Sequence, residues 1–132
     1  KSGISVMGHI GHTPQYKKTF KAQGLKKNAV QKLIYEAEQI EKAGAFSIVL
    51  ECISPKVVKK ITEKIKIPTI GIGSSNLCDG QILVTDDLIG LSGFYPKFVK
   101  KYLDLEKIIE KTIKRFKEDV RKGKFPKKTN TY

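Results

Sequence analysis

Short apolar runs recur along the chain and predict buried β-strands. Residues 4–10, 46–51 and 67–73 are mostly apolar, without strict alternation of apolar and polar positions. Runs of this kind are typical of strands in parallel sheets, where both faces of the sheet are covered. We interpret residues 81–84 as a further short strand.

Between these runs the apolar spacing changes to that of amphipathic helices. One helix is predicted to begin with Asn28 as its N-cap and to stop at Gly44. A second is predicted to begin with Ser54 as N-cap and Pro55 at the first helical position. A third covers residues 103–122. The apolar positions of the first helix are Val30, Leu33, Ile34, Ala37 and Ile40. Those of the third, all expected to face inward, are Leu105, Ile108, Ile109, Ile113, Phe116 and Val120.

The alternation of strands and helices predicts an α/β fold with right-handed βαβ units and a parallel sheet. Two architectures fit this order: a small doubly wound sheet, or a segment of a (β/α)8 barrel. A complete barrel needs about 250 residues. The 132 residues of this chain would be roughly half of one. The start at Lys1, without an initiator methionine, favours the half-barrel and suggests that the sequence begins in mid-domain.

The charge balance is strongly basic, at +13 from 26 Lys and Arg against 13 Asp and Glu. Almost all the excess is lysine, and the only arginines are Arg115 and Arg121. Because arginine is the usual residue for bidentate recognition of bases and phosphates, we favour a solvated lysine-rich surface over a nucleic-acid-binding module. The basic tail, residues 123–132, keeps that alternative open.

No apolar run approaches the length needed to span a bilayer. Cys52 and Cys78 lack the spacing of metal ligands, and a reduced, cytoplasmic protein is the simplest interpretation.

Glu51 is the strongest candidate for chemistry. It directly follows the apolar run of the second predicted strand. Function gathers at the carboxyl ends of parallel strands, and a partly desolvated carboxylate on a rigid strand suits proton transfer. The structural alternative is a glutamate that caps the next helix or pairs with a lysine.

His9 ends the first predicted strand and is the second candidate. The functional interpretation is that His9 donates a hydrogen bond to substrate, shuttles a proton or binds a metal. The alternative is a purely structural role. The glycines on either side, Gly8 and Gly11, favour a functional role because they permit close backbone approach. His12 is expected to be solvated in the following loop. Cys52 is expected to be a buried, inert thiol.

Two further patterns could bind ions. The glycine- and serine-containing residues 71–75 could hold a phosphate, although a tight turn explains them equally well. Asp79, Asp86 and Asp87 could bind a divalent cation, but aspartates more often form turns or cap helices.

Several blocks of the sequence, taken together, match the motifs of one enzyme family in the family's own order. They are residues 8–15 (GHIGHTPQ), 22–24 (AQG), 49–53 (VLECI), 67–73 (IPTIGIG), 78–84 (CDGQILV) and 93–98 (GFYPKF). These blocks span nearly the whole chain and resemble the ketopantoate hydroxymethyltransferase family.

The resemblance implies a (β/α)8 TIM barrel of the phosphoenolpyruvate/pyruvate superfamily, of which residues 1–132 supply roughly the C-terminal half of a single domain. It implies transfer of a one-carbon unit from 5,10-methylenetetrahydrofolate to 3-methyl-2-oxobutanoate, giving 2-dehydropantoate for pantothenate and coenzyme A biosynthesis. Glu51 would be the proton acceptor, and His9 would line the substrate pocket. The Mg²⁺ that chelates the keto acid would find no ligands in this segment, because the resemblance assigns them to the N-terminal half.

The implied partners are that N-terminal half and further copies of the chain, since the family forms homo-oligomers (decamers). This piece alone is expected to be inactive.

The chain departs from the family pattern in three places. His12 replaces a leucine, the loop at residues 16–23 is a few residues short, which bears on folate contacts, and Ser54 replaces a valine. A lyase of the same superfamily, sharing the metal and the keto acid but not the folate, is the alternative enzyme.

Overall fold

The fold is described by a computed structural model that covers residues 3–15 and 19–132. In chain order the elements are β1 (Met7–Gly11), α1 (Lys27–Lys42), β2 (Ser47–Glu51), α2 (Pro55–Lys64), β3 (Thr69–Ile72), β4 (Gly80–Gln81), α3 (Thr85–Ile89), α4 (Leu105–Arg121) and a 3-10 helix at Lys128–Asn130. The chain divides into two compact units. Unit 1 is Lys1–Leu83 with Pro96–Phe98, and unit 2 is Val84–Tyr95 with Val99–Tyr132.

Unit 1 is built on a parallel four-stranded sheet whose order, β1-β2-β3-β4, follows the chain. His9 lies beside Val49, and Glu51 lies between Gly11 and Ile72. In a doubly wound sheet the strand order reverses at a switch point. The order here does not reverse, and α1 contacts β1, β2 and α2. The predicted α/β fold with a parallel sheet is therefore confirmed, and the strand order is consistent with a segment of a barrel.

The core of unit 1 lies between the sheet and helices α1 and α2. Ile48 and Leu50 of β2 are fully buried, as are Ala37 of α1 and Val58 and Ile61 of α2. Most of the apolar positions predicted for α1 are buried, and Val30 and Ile40 pack against the cluster from its edge. Burial of each large aliphatic side chain contributes about 1.5–3 kcal/mol, so this cluster is the main source of stability in the unit.

The strands are shorter than the sequence predicted. Ile4 and Val6 lie outside β1 and are 76% and 55% exposed. Before β1, the ladder is extended by the amide of Phe46, which donates to the carbonyl of Val6 at 3.0 Å. β3 begins after Pro68, and β4 reaches only the first of the predicted residues 81–84. Apolar runs mark which residues prefer burial, whereas strand ends depend on where a partner strand supplies hydrogen bonds.

The prediction of Asn28 as an N-cap is wrong. Helix α1 begins at Lys27, so its N-cap is Lys26, two residues earlier than predicted, and Lys26 makes no side-chain capping bond. At the other end, Gly44 follows the helix at φ +92°, as the sequence predicted. The start of α2 is confirmed at Ser54 and Pro55. The Ser54 hydroxyl, however, donates to the carbonyl of Gly24 at 3.4 Å instead of capping the helix.

In unit 2, helix α4 confirms the predicted helix at residues 103–122, and Glu110 and Lys114 form an ion pair one turn apart on it. The prediction that its apolar residues face inward is wrong for the residues described. Exposed at 40–60% are Ile108, Ile109, Ile113, Phe116 and Val120. Within unit 2, the ring of Phe125 meets that of Phe116 at 5.4 Å. Helix α3 was not predicted, because five residues are too few to show a helical period.

None of the helices formed by residues 3–15 and 19–132 is long and apolar enough to cross a bilayer.

Asp79 ties the turn before β4 to the start of β3. Its carboxylate accepts the amide and the hydroxyl of Thr69, both at 2.8 Å, and the Asp79 amide donates back to the Thr69 hydroxyl at 3.2 Å. The hydrogen bonds from Thr69 hold the pKa of Asp79 below its ordinary value of 3.8. The aspartate predicted as a turn former therefore has that role, and its carboxylate oxygen is engaged by Thr69.

We expect Asp79→Asn to lower the melting temperature by a few degrees at neutral pH. Because the pKa is depressed in the folded state, the carboxylate adds stability above its unfolded pKa, and that stability is lost as the pH falls through the lower, folded value. Thermal melts of both proteins at pH 7 and pH 3 check this. The difference between the two melting temperatures should be smaller at pH 3 than at pH 7, and an equal difference at both pH values would contradict the assignment.

Candidate active site

Glu51, the last residue of β2, contacts His9, the third residue of β1. The prediction that His9 ends the first strand is wrong, because β1 continues to Gly11. The Nε2 atom of His9 lies 2.9 Å from Oε2 of Glu51, and the two side chains are 36% and 12% exposed. With its ring proton on Nε2, the imidazole donates to the carboxylate. Because side chains alternate along a strand, Glu51 and Val49 lie on the face opposite to Ile48 and Leu50. The sequence predicted both residues, and the structure brings them into direct contact.

The backbone around Glu51 leaves the strand at a sharp bend. Cys52 has φ +53°, a left-handed conformation that is uncommon for residues other than glycine. Three hydrogen bonds hold the bend: the amide of His12 donates to the carbonyl of Glu51 at 2.9 Å, that of Cys52 to Ile72 at 3.0 Å, and that of Gln23 to Cys52 at 2.7 Å. Glu51 is thus presented by a rigid segment, which is what positioned acid–base chemistry requires.

Ser74 completes this support from the end of β3. Its hydroxyl donates to the carbonyl of Leu50 at 2.6 Å and accepts the amide of Ile53 at 2.9 Å, so it bridges the residues before and after the bend. Ile53 is buried, and its amide would otherwise lack the strand partner that the bend removes. This role of Ser74 was not predicted from the sequence. The available signal was a serine two residues after the end of the strand that neighbours Glu51.

Cys52 is buried next to Glu51 and is not equipped as a nucleophile. Burial, and secondarily the negative charge of Glu51, raise the pKa of the Cys52 thiol above its ordinary value of 9.0. The thiol is protonated at neutral pH, and the thiolate is the reactive form. This agrees with the expectation of an inert cysteine.

The prediction that His12 is solvated is wrong, because the side chain is fully buried. Its ring lies 4.7 Å from the ring of Phe20, and neither ring nitrogen has a hydrogen-bond partner among the residues described. The setting is apolar and aromatic, which suits the leucine of the family motif. Of the loop at residues 16–23, residues 16–18 lie outside the described part of the chain.

The glycine-containing residues 71–75 pack closely rather than standing open. A Cβ atom on Gly73 would come within 2.7 Å of the Phe98 ring, and the Ser75 carbonyl accepts the side-chain amide of Gln81 at 2.8 Å. With the Ser74 hydroxyl also engaged, these contacts favour the tight-turn interpretation over a phosphate cradle.

The described residues do not fit a magnesium site. Within residues 3–15 and 19–132, no group of three or more His, Cys, Asp or Glu side chains could hold a metal ion. Asp79 is engaged by Thr69, and Asp87 accepts the hydroxyl of Ser92. Asp86 and Asp87 lie in the first turn of α3, where acidic residues favour the helix dipole. These aspartates therefore have structural explanations.

Known proteins resemble the chain along its whole length. The 3-methyl-2-oxobutanoate hydroxymethyltransferases of Pelagibacter ubique and Bartonella tribocorum are each 50% identical to it, and that of Thermotoga maritima is 47% identical. Each similarity covers 100% of this chain but only 50–51% of the relative. The chain therefore spans about half the length of the curated relatives it matches.

The model of one protein family, described as ketopantoate hydroxymethyltransferase, matches residues 1–128. That range includes every motif block and both residues of the Glu51–His9 pair. The resemblance seen in the sequence is confirmed: this chain belongs to the ketopantoate hydroxymethyltransferase family.

Proposed function

We propose that this chain forms part of an enzyme that transfers a one-carbon unit from 5,10-methylenetetrahydrofolate to 3-methyl-2-oxobutanoate, giving 2-dehydropantoate on the way to pantothenate and coenzyme A. Family membership supports the reaction. The single structural observation that carries the proposal is the contact of 2.9 Å between the imidazole of His9 and the carboxylate of Glu51.

In the proposed reaction Glu51 is the proton acceptor. The C–H bond next to the ketone of the keto acid breaks, the proton moves to the Glu51 carboxylate, and the electron pair remains on carbon as an enolate. That carbon then forms a C–C bond with the one-carbon unit, whose two bonds to folate nitrogens break. Water supplies the hydroxyl oxygen of the product. The proton held by Glu51 and the remaining proton of the water go to the two nitrogens, and tetrahydrofolate leaves. The low exposure of the carboxylate, 12%, supports this role, because it limits the access of bulk water to the base.

His9 is proposed to line the substrate pocket and to orient the base. Its imidazole holds one carboxylate oxygen of Glu51 and leaves the other for substrate. It is also the more exposed member of the pair. Mg²⁺ is proposed for the complete enzyme, with ligands outside the residues described here, and no step above depends on it.

The proposed partner is the N-terminal half of the same enzyme. The described sheet has β1 at one edge, and Met7 on the face of His9 is 46% exposed. An unpaired strand edge and an uncovered apolar side chain are what additional strands would cover. We further propose a (β/α)8 barrel of the phosphoenolpyruvate/pyruvate superfamily, homo-oligomeric assembly and a cytoplasmic location.

The proposal is tested by assembling the enzyme from its two halves. This chain, mixed with a polypeptide that supplies the N-terminal half, is expected to form 2-dehydropantoate from 3-methyl-2-oxobutanoate, methylenetetrahydrofolate and Mg²⁺. The chain alone is expected to form none, because the proposed metal ligands belong to the N-terminal half. Product measured by mass spectrometry from the isolated chain would contradict the requirement for the other half.

The same assay separates the rival functions. Turnover of the keto acid without folate would indicate a lyase of the same superfamily. A nucleic-acid-binding module would instead bind duplex DNA with an affinity that falls steeply with salt. The proposal predicts complete dependence on folate and no duplex binding at physiological salt.

A further inference from the structure

A cavity of about 360 Å³ opens in unit 1 beside Cys52, the residue that follows Glu51. Its lining comes from separate loops at the carboxyl end of the sheet. The lining residues are Phe20, Lys21, Ala22, Cys52, Gly73, Lys97 and Phe98. The role assigned to Glu51 and His9 makes no use of this cavity.

The motif blocks found in the sequence meet at this cavity. Ala22, Cys52, Gly73 and the pair Lys97–Phe98 each come from a different block. Pro96–Phe98 belongs to unit 1, although the residues on both sides of it belong to unit 2. The Phe98 ring lies against Gly73, where a Cβ atom would come within 2.7 Å of it. The block at residues 93–98 thus contributes a wall of the cavity.

The chemistry of the lining selects an anion that carries a flat apolar part. The rings of Phe20 and Phe98 meet edge to face at 5.6 Å and provide an aromatic wall. Lys21 and Lys97 supply positive charge, and none of the lining residues is acidic. Within the described part of the chain, neither lysine forms a salt bridge that would neutralise it.

The size of the cavity argues against the small keto acid as its ligand. Sites of roughly 300–1,000 Å³ typically hold drug-sized molecules. At about 360 Å³, the cavity is at the lower end of that range, and it would hold a ring system or the ring-proximal part of a larger ligand.

We propose that this cavity binds a flat aromatic ligand bearing carboxylates, with the ring against Phe20 and Phe98 and the carboxylates at Lys21 and Lys97. The inference rests on the proposed function in one respect: of the two reactants, the folate co-substrate has this chemistry. The one-carbon unit would then be delivered from the Cys52 side, next to the base at Glu51.

The test uses the complete enzyme with Lys97→Ala and Lys21→Ala, singly and together. Lys66→Ala is the matched control, because Lys66 is an exposed lysine before β3, at the opposite end of the sheet. The double variant is expected to raise the KM for methylenetetrahydrofolate about tenfold, since charge-assisted contacts to carboxylates are lost. In the double variant, the KM for 3-methyl-2-oxobutanoate should change less than about twofold. In Lys66→Ala, the KM values for both substrates should also change less than about twofold.

Direct binding separates this inference from the proposed reaction. Titration calorimetry measures the affinity for 5-formyltetrahydrofolate, a stable analogue, whether or not the enzyme turns over. The double variant should weaken this affinity by a similar factor, about tenfold. Lys66→Ala should leave the affinity unchanged. A turnover failure with this binding pattern intact would count against the reaction alone. Two results would overturn the cavity assignment. In the first, the double variant is active, and its folate KM and analogue affinity are unchanged. In the second, its KM rises only for the keto acid.

Discussion

Glu51→Gln is expected to lower kcat of the complete enzyme by at least about 100-fold, the usual contribution of a positioned general base. The amide preserves the size of the side chain and can still hydrogen-bond to His9, but it cannot accept a proton from carbon. The backbone bonds around Cys52 do not involve the carboxylate, so the melting temperature should change little.

The sharpest measurement for this variant is proton exchange. In D₂O with Mg²⁺ and 3-methyl-2-oxobutanoate, but without folate, the wild-type enzyme should exchange the hydrogen next to the ketone, and NMR follows the loss of that signal. Glu51→Gln should abolish the exchange. Glu63→Gln is the control, because Glu63 is an exposed glutamate on α2 that pairs with Lys59. Near-normal exchange by Glu51→Gln would remove Glu51 from the proton-transfer role.

Gly11→Ala is expected to destabilise the protein by roughly 2–5 kcal/mol, combining a left-handed backbone with overpacking. Gly11 has φ +105°, and a Cβ atom there would clash with the carbonyl oxygen of Glu51 and lie 2.9 Å from Cγ1 of Ile53. Since that carbonyl also accepts the amide of His12, relief of the clash must move the segment that presents Glu51. Activity should therefore fall together with stability.

Gly44→Ala separates the two causes. Gly44 also has a left-handed φ, +92°, but a Cβ atom there meets nothing within 4 Å. This variant should lose only the backbone part, about 1–2 kcal/mol, and should keep its activity. Urea unfolding of both variants gives the two free energies. Equal losses would show that the contact with Glu51 contributes nothing.

Much of unit 1 could be predicted because its signals are local. The helical spacing of Leu33, Ile34 and Ala37 identified the buried face of α1, and the apolar run before Glu51 identified β2. His9 was a candidate because the first strand was predicted to end there, although β1 continues to Gly11. These inferences needed only the period of each element and the rule that function lies at the carboxyl ends of parallel strands.

The failures share a different cause, because each depended on what lies across space. His12 looks like a loop residue but is buried against Phe20. The apolar face of α4 predicts burial, yet in the described chain that face is exposed. Periodicity tells which side chains favour removal from water, but whether a partner covers them is a property of the assembled structure.

The sequence by itself determined the family, the α/β order and the two residues at the centre of the site, Glu51 and His9. Only the tertiary structure decided how Glu51 is held. The left-handed bend at Cys52, the Ser74 hydroxyl across it and the contact with His9 join residues far apart in the chain. Such contacts leave no local signal in the sequence, because each joins residues of different strands. Only the pairing of those strands brings the residues together.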